Sequence, residues 1–85
     1  MTWAIRYERE AERTIDALDP PVRRRILLAI GNLARDPRTA PNVKTLKGID
    51  RYRLRVGDWR VIYTLHDDVA TVLVVRVAHR REAYR

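Results

Sequence analysis

Arginine side chains recur at alternate positions along one short stretch of the sequence. Arg51, Arg53 and Arg55 alternate with apolar residues, and Arg60 follows beyond a Gly57-Asp58 dipeptide. Alternate residues of a β-strand point to the same side of a sheet. Guanidinium groups bind phosphate through paired N–H donors and stay charged at physiological pH. The chemistry that this stretch suggests is therefore phosphate binding, and a solvated strand face is the alternative.

The pattern around these arginines is that of a tight β-hairpin. Gly57-Asp58 is the predicted turn, because glycine adopts the positive φ that such turns usually need. One register of the hairpin is apolar and aromatic, which predicts a side packed on a core. Its members are Tyr52, Leu54, Val56, Trp59, Val61, Tyr63 and Leu65. Arg60 falls in the other register together with Ile62, on the side that is expected to be cationic.

Length and composition predict a single folded domain over residues 1–85. The apolar fraction is 46% and the charged fraction is 34%, which fits a globular chain and not a disordered one. The absence of cysteine excludes a disulfide framework, and two distant histidines make a zinc site unfavourable. The apolar runs have strand length, and no signal peptide is visible, so we expect no membrane span and a cytoplasmic protein.

The net charge of +7 and the sequence pI of about 10.8 indicate an anionic partner, with nucleic acid first. The charge is uneven along the chain. Residues 1–40 carry eight basic and six acidic side chains, and residues 41–85 carry ten and five. The half with the larger excess is the half that contains the predicted hairpin, so the positive charge is expected on the sheet.

The remaining pattern predicts an α+β domain in the order β-α-α-β-β-β, with two N-terminal helices packed on one face of a mostly antiparallel sheet. An apolar segment near the C-terminus is expected to be the central strand, because buried strands lose strict alternation. A basic tail follows it. The predicted elements are a strand at Trp3–Tyr7, helices at Glu8–Leu18 and Pro20–Arg35, an irregular connection at Pro37–Val43, the hairpin, and the strand Ala70–Ala78.

Four motifs, in this order and spread over the chain, resemble the RelE/ParE superfamily, which comprises the toxins of type II toxin–antitoxin pairs. The resemblance covers essentially the whole sequence and favours the RelE-like branch. The motifs are Leu46-Lys47-Gly48, Tyr52-Arg53-Leu54-Arg55, Gly57-Asp58-Trp59-Arg60-Val61-Ile62-Tyr63, and Val75-Arg76-Val77-Ala78-His79-Arg80-Arg81-Glu82-Ala83-Tyr84.

The resemblance implies a ribosome-dependent endoribonuclease. RelE-like members cleave messenger RNA by attack of a ribose 2′-hydroxyl on the adjacent phosphate. Such a reaction needs alignment, charge stabilisation and proton transfer. Three basic residues beside the implied site are predicted to bind RNA: Lys44, Lys47 and Arg51. The residues that match the catalytic positions of the family are Arg53, Arg55, Arg60, Arg80, Arg81 and Tyr84.

The sequence departs from RelE proper, which carries lysines where this chain has Arg53 and Arg55. A guanidinium is a poor general base, so these two are expected to clamp phosphate. His79 is the only near-neutral side chain nearby and is a candidate proton donor or acceptor; the alternative is a strand-end surface histidine. Arg76 lies inside the long apolar strand, and its structural reading is a buried arginine paired with an acid. Tyr84 stacks on a base or packs against the domain.

The implied partners are a cognate antitoxin with a helical segment, the ribosome and its mRNA. A toxin–antitoxin hetero-oligomer is expected to bind operator DNA through the antitoxin. No cofactor is implied, and no metal, because the basic face has no carboxylate cluster. Two other functions stay open: a ParE-like toxin that inhibits DNA gyrase without chemistry of its own, and a nontoxic basic module that binds nucleic acid.

Overall fold

A computed structural model of the chain describes residues 2–47 and 51–82, which form two α-helices and a five-stranded sheet. The strand order is β1-β5-β4-β3-β2, with β1 parallel to β5 and the other pairs antiparallel. The predicted α+β class is confirmed. The elements are β1 (Ala4–Tyr7), α1 (Arg9–Ala17), α2 (Pro20–Leu33), β2 (Val43–Thr45), β3 (Arg51–Val56), β4 (Trp59–His66) and β5 (Thr71–His79), with a 3₁₀ turn at Asp67–Val69.

Two features of the sheet differ from the sequence prediction. The first is β2, which pairs with β3 but has three residues, too few to show a periodic pattern. The second is the position of the apolar strand β5. It lies between β1 and β4, so the middle strand is β4. The prediction that Ala70–Ala78 is central was therefore wrong, because a strand between two neighbours can be as apolar as the middle one.

The core lies between the two helices and one side of the sheet. Ala11 and Ile15 of α1 and Ile26, Ile30 and Leu33 of α2 supply the helix side of this core. The helical spacing of these residues gives each helix one apolar stripe. The sheet contributes most of the apolar register of the hairpin, as predicted, with Trp59 partly buried against it, and three valines of β5 on either side of an irregularity in its pairing. The core residues of the sheet are Tyr52, Leu54, Val56, Val61, Tyr63, Leu65, Val72, Val74 and Val77.

The two helices are joined through one arginine side chain. Arg23, on α2, donates from Nε to the carbonyl oxygen of Ile15 at 3.2 Å. Its Nη2 donates to the carbonyl oxygens of Asp16 at 3.1 Å and Leu18 at 2.8 Å. The last carbonyls of a helix have no partner within the helix. Arg23 supplies that partner and so bonds the first turns of α2 to the end of α1. Neither helix in the described ranges is long and apolar enough to cross a bilayer.

The connection between α2 and β2 is fixed to the far end of the sheet by a second arginine. Arg38 donates from Nη1 and Nη2 to the two carboxylate oxygens of Asp67, at 2.9 and 2.8 Å, and from Nε to the hydroxyl of Tyr52 at 3.2 Å. The adjacent carbonyl of Pro37 accepts a 2.6 Å hydrogen bond from the buried hydroxyl of Tyr63. Burial raises the pKa of Tyr63, so this hydroxyl keeps its proton. These bonds place the connection against the hairpin.

The Arg38–Asp67 ion pair gives a testable pH dependence of stability. Hydrogen bonds from Arg38 lower the pKa of Asp67 in the folded chain. The unfolded chain therefore binds a proton at Asp67 more readily, and the stability that the pair contributes is lost as the pH falls below about 4. We expect Asp67→Asn to unfold at a lower urea concentration than the unmodified chain at pH 7, with a smaller difference at pH 3.

Asp68→Asn is the matched control, since it removes the neighbouring carboxylate, which bonds to no described residue. Urea titrations monitored by tryptophan fluorescence at both pH values measure the two variants. Equal midpoints for Asp67→Asn and Asp68→Asn at pH 7 would show that the ion pair does not stabilise the fold.

Candidate nucleic-acid interface

The side of the sheet opposite the helices is cationic. None of the five strands contains Asp or Glu. No group of three or more His, Cys, Asp or Glu side chains that could hold a metal ion occurs in residues 2–47 and 51–82. We call this side the open face and define it by its basic residues, which the pairing register places on one side: Arg6, Lys44, Arg51, Arg53, Arg55, Arg60 and Arg76.

The centre of the open face consists of two neighbouring rows that run across the strands. In the first row Arg55 lies directly opposite Arg60. In the second row Lys44, Arg53 and Arg76 lie around Ile62. Like charges in opposite positions of a sheet repel each other. An anion bound between them removes the repulsion, which makes the centre of the face suited to phosphate. The predicted separation of the hairpin into an apolar and a cationic side is confirmed.

The turn of the hairpin binds one edge of the Arg60 guanidinium. Nη1 donates to the carbonyl oxygens of Gly57 at 2.9 Å and Trp59 at 3.0 Å. Among the described residues, nothing accepts from its Nε or Nη2. Gly57 has φ of +59°, and it occupies the first central position of the turn. The turn therefore orients Arg60 and leaves a second guanidinium edge for a ligand.

Arg55 is held by an asparagine that the sequence analysis did not single out. Its Nη2 donates to Oδ1 of Asn42 at 3.2 Å, and its backbone N–H donates to the Asn42 carbonyl oxygen at 3.0 Å. Asn42 has φ of +68°, in the left-handed region that asparagine tolerates better than most residues. A signal that could have found it is the Pro41-Asn42 dipeptide, because proline and asparagine are typical turn residues.

The second row contains an apolar residue at its centre. Ile62 is only 6% exposed although its neighbours in the row are basic and it lies on the open face. Arginine stems cover apolar surface while the guanidinium stays in water. Arg53 and Arg76 are accordingly half-buried, and Lys44 and Arg51 are exposed.

The segment after β5 folds back toward the open face and the hairpin turn. Arg76 donates from Nη2 to the Glu82 carbonyl oxygen at 2.8 Å, so its bonded partner in the described ranges is a backbone carbonyl and not an acid. Arg80 donates its backbone N–H to the Asp58 carbonyl oxygen at 2.7 Å, and its Nε lies 3.8 Å from Asp58 Oδ1. These bonds bring Arg80 to the turn that also binds Arg60. Arg81 is exposed beside it.

His79 does not join the arginines of the open face. It pairs with Trp59, and two residues earlier in β5 Val77 pairs with Val61, both of which belong to the core. The register therefore places His79 on the helix side of the sheet. Its ring lies edge-on to Trp59, with 5.6 Å between the ring centroids, and its Nδ1 accepts a long 3.4 Å bond from the Arg81 backbone. The arrangement fits the alternative reading of a strand-end histidine.

The remaining predicted residues lie at the margins. Lys47 is exposed and lies two residues after the end of β2. Tyr84, together with Gly48 of the first motif, lies outside the described residues.

The sequence agrees with known toxins over nearly its whole length. Residues 5–84 match a family model described as the ParE toxin of the type II toxin–antitoxin system parDE. The chain is 28% identical to toxin RelG of Mycobacterium tuberculosis over 86 aligned residues, which cover 100% of this chain and 99% of the relative. The predicted resemblance is confirmed.

Solved structures of toxins have the same fold. The RelE–RelB complex of Pyrococcus horikoshii contains a chain with a TM-score of 0.83 and 26% identity, covering 98% of this chain and 100% of that one. The RelBE2 complex of Mycobacterium tuberculosis gives a TM-score of 0.80 and 28% identity, covering 94% and 100%. Since the family model also spans almost the entire sequence, this chain belongs to the ParE toxin family, within the RelE/ParE superfamily of type II toxin–antitoxin toxins.

Proposed function

We propose that this toxin is a metal-independent endoribonuclease that cleaves mRNA on the ribosome, in the cytoplasm. One observation carries the proposal: three arginines, Arg53, Arg55 and Arg60, lie on adjacent positions of an acid-free sheet face. The names of the similar toxins support it, because several are RelE proteins. A cationic face of this kind also suits the phosphates that surround mRNA in a ribosome.

The reaction begins with the attack of a ribose 2′-oxygen on the adjacent phosphorus. The bond to the 5′-oxygen breaks, which leaves a 2′,3′-cyclic phosphate on one fragment and a 5′-hydroxyl on the other. Solvent water accepts the proton of the 2′-hydroxyl, and water also protonates the departing 5′-oxygen. Negative charge builds up on the phosphoryl oxygens in the transition state. Arg55 and Arg60, which face each other across the hairpin, are placed to bind these oxygens from two strands. Arg53 contributes from the neighbouring row.

The arginines supply charge and alignment and not proton transfer. A guanidinium does not lose its proton in a protein. Arg80, held at the hairpin turn by Asp58, is the basic group that we place beside the departing 5′-oxygen. Of the pair after β5, Arg80 is favoured over Arg81 because this backbone bond fixes its position. Tyr63 cannot serve as a proton donor to RNA, because it is buried in the core and bonded to Pro37.

The regulatory partner is proposed to be a cognate antitoxin. The solved relatives from Pyrococcus horikoshii and Mycobacterium tuberculosis are complexes with an antitoxin. An antitoxin that covers the open face, or displaces Arg80 from the hairpin turn, would stop cleavage by occupying or dispersing the cationic residues. A hetero-oligomer of the two proteins would bind operator DNA through the antitoxin.

Inhibition of DNA gyrase is the second candidate function. The observation that favours it is the family model, which is described as the ParE toxin of parDE. In that case the open face would bind an acidic protein surface, and no RNA would be cut. The two functions differ in what accumulates in cells that express the toxin: cut mRNA in the first, and DNA damage with intact mRNA in the second.

The main prediction concerns Arg60→Ala. Loss of one preorganised donor to the developing oxyanion typically lowers a rate about 10²- to 10³-fold. On purified ribosomes programmed with mRNA, we expect the unmodified chain to cut the mRNA and the variant to cut it about 10²-fold more slowly. The measurement is primer extension of the mRNA after single-turnover incubation, together with mapping of 5′ ends across the transcriptome of expressing bacteria.

Arg13→Ala is the control for loss of one charge, because Arg13 is exposed on α1, away from the open face. Its cleavage rate should stay close to that of the unmodified chain. In-frame cuts that are unchanged in Arg60→Ala would contradict the proposed role of this arginine. Growth arrest with intact mRNA and an SOS response would instead establish the gyrase function.

Asn42→Gly tests whether Arg55 must be held in place. Glycine keeps the positive φ at residue 42 and removes the Oδ1 that binds the guanidinium. We expect a drop in kcat of about threefold to tenfold, with little change in KM, because one charge-assisted hydrogen bond no longer orients Arg55. Thermal unfolding of the variant should remain close to that of the unmodified chain.

Asn42→Asp is the rescue variant, because it restores an oxygen acceptor at the same position. Cleavage by Asn42→Asp that is closer to normal than cleavage by Asn42→Gly supports the positioning role. Equal rates for Asn42→Gly and the unmodified chain would show that Arg55 needs no such support.

His79→Gln tests the proton-transfer role that the sequence suggested. Because His79 lies in the Trp59 row on the helix side, we expect the variant to cleave mRNA within about threefold of the unmodified chain, an effect far below the 10²-fold typical of a lost general acid or base. The pH–rate profile between pH 5.5 and 8.5 should be the same for both proteins. If the pH–rate profile of the variant lacked an ionisation that the unmodified chain shows, His79 would take part in proton transfer.

A further inference from the structure

A second concave site lies on the open face, at the end of the sheet farthest from the hairpin turn. It has a volume of about 520 Å³ and is lined by residues of β1, the end of β4, the 3₁₀ turn and the start of β5. None of these residues belongs to the site described above, apart from Arg6. The lining residues are Ala4, Arg6, His66, Val69, Thr71 and Leu73.

The pairing register makes this site continuous with the central arginines. Arg6 pairs with Leu73, Leu73 pairs with Thr64, and Thr64 pairs with Arg51. This third row runs across four strands with an arginine at each outer position. On the open face, the Arg53–Ile62 row lies between this third row and the Arg55–Arg60 row. Thr64 in the third row is about 13 Å from Arg60 along β4. A few nucleotides of one extended strand span that distance.

The chemistry of the site suits a nucleotide. The half-buried Leu73 and the 64%-exposed Val69 offer an apolar floor for the face of a base. His66 is an exposed ring that can stack on the base, and its Nε2 lies 3.2 Å from Thr64 Oγ1. Arg6 is exposed, and its guanidinium bonds to nothing else among the described residues, so it is available for a phosphate.

Acidic neighbours do not cancel this charge. Of the two acids in the 3₁₀ turn, Asp67 is bound on both carboxylate oxygens by Arg38. Asp68 is exposed and unbonded within the described ranges. The strands that form the site contain no acid at all. Arg6 therefore presents its charge to a ligand from a sheet face without acids, and the acids that adjoin the site in the chain are Asp68 in the 3₁₀ turn and Glu8, two residues after Arg6.

From this arrangement we infer that the Arg6–His66–Leu73 site binds a nucleotide of the RNA strand that flanks the cleaved phosphate. The inference rests on the proposed function for the identity of the strand, but the site itself is separate from the reacting groups. Arg6 binds the phosphate of this flanking nucleotide, and Leu73 and His66 contact the base of the same nucleotide. The site lengthens the bound segment of RNA and does not act on the scissile bond.

The test compares the affinity of short and long single-stranded RNA for the unmodified chain, Arg6→Ala and Arg13→Ala. The probes are 2′-fluoro oligouridylates of about three and about eight nucleotides, which lack the attacking hydroxyl and bracket the extent of a small single-strand site. We expect Arg6→Ala to weaken binding of the longer probe about fivefold and of the shorter probe less than about twofold. The salt slope for the longer probe should fall by about 0.7.

Arg13→Ala removes the same charge from α1 and should weaken both probes slightly and equally. A longer probe with 4-thiouridine at one end supplies a second measurement. It should crosslink to residues 64–73 in the unmodified chain and lose this crosslink in Arg6→Ala. Crosslinks confined to the hairpin, or equal losses for Arg6→Ala and Arg13→Ala at both lengths, overturn the site.

These outcomes are distinct from those that decide the proposed function. Cleavage of mRNA by the unmodified chain without a length effect in Arg6→Ala overturns the site alone. A length effect without any cleavage supports the site and overturns the endoribonuclease function. No binding of either probe by the unmodified chain overturns the site whatever the result on ribosomes.

Discussion

The register of the β3–β4 hairpin is the constraint on which the rest of the structure depends. A slip of one residue would move the arginines into the core and the tyrosines into water. Gly57 prevents the slip, because it takes φ of +59° in a turn of fixed length. A Cβ at residue 57 would also lie 2.9 Å from Nη1 of Arg25, an exposed side chain of α2 that would have to move. The core contact and the cationic face are therefore set by the same turn.

Tyrosines on the core side of the hairpin transmit this register to the rest of the domain. Tyr52 and Tyr63 are opposite each other and stack with 5.5 Å between ring centroids. Each hydroxyl then bonds to the connection after α2, one through Arg38 and the other through Pro37. The same connection ends at Asn42, which binds Arg55 on the opposite side of the sheet. One loop thus holds a buried aromatic pair and an exposed arginine. A change in the packing of the tyrosines would therefore also displace Arg55 on the open face.

The sequence predicted those features that repeat along the chain and missed those that depend on single contacts. Two-residue alternation was enough to separate arginines from core residues, and helical spacing was enough to find both helices. The short β2 has no pattern of its own and exists because β3 offers it an edge. The side taken by His79 could not be read from the sequence, because β5 contains an irregularity opposite Ile62 and Tyr63 that changes its alternation. The contact between Asn42 and Arg55 joins residues from separate segments and leaves no periodic signal.

The cationic face has a cost that links its function to its stability. Arginines that face each other in adjacent strands repel, and no strand contains an acid to offset them. In the free protein, the burial of apolar side chains on the helix side must offset this repulsion. Any polyanion that binds the open face removes it and stabilises the folded state by mass action. If RNA and an antitoxin both bind this face, as proposed above, they would compete for the same electrostatic gain, and the tighter of the two would determine whether the arginines are available to RNA.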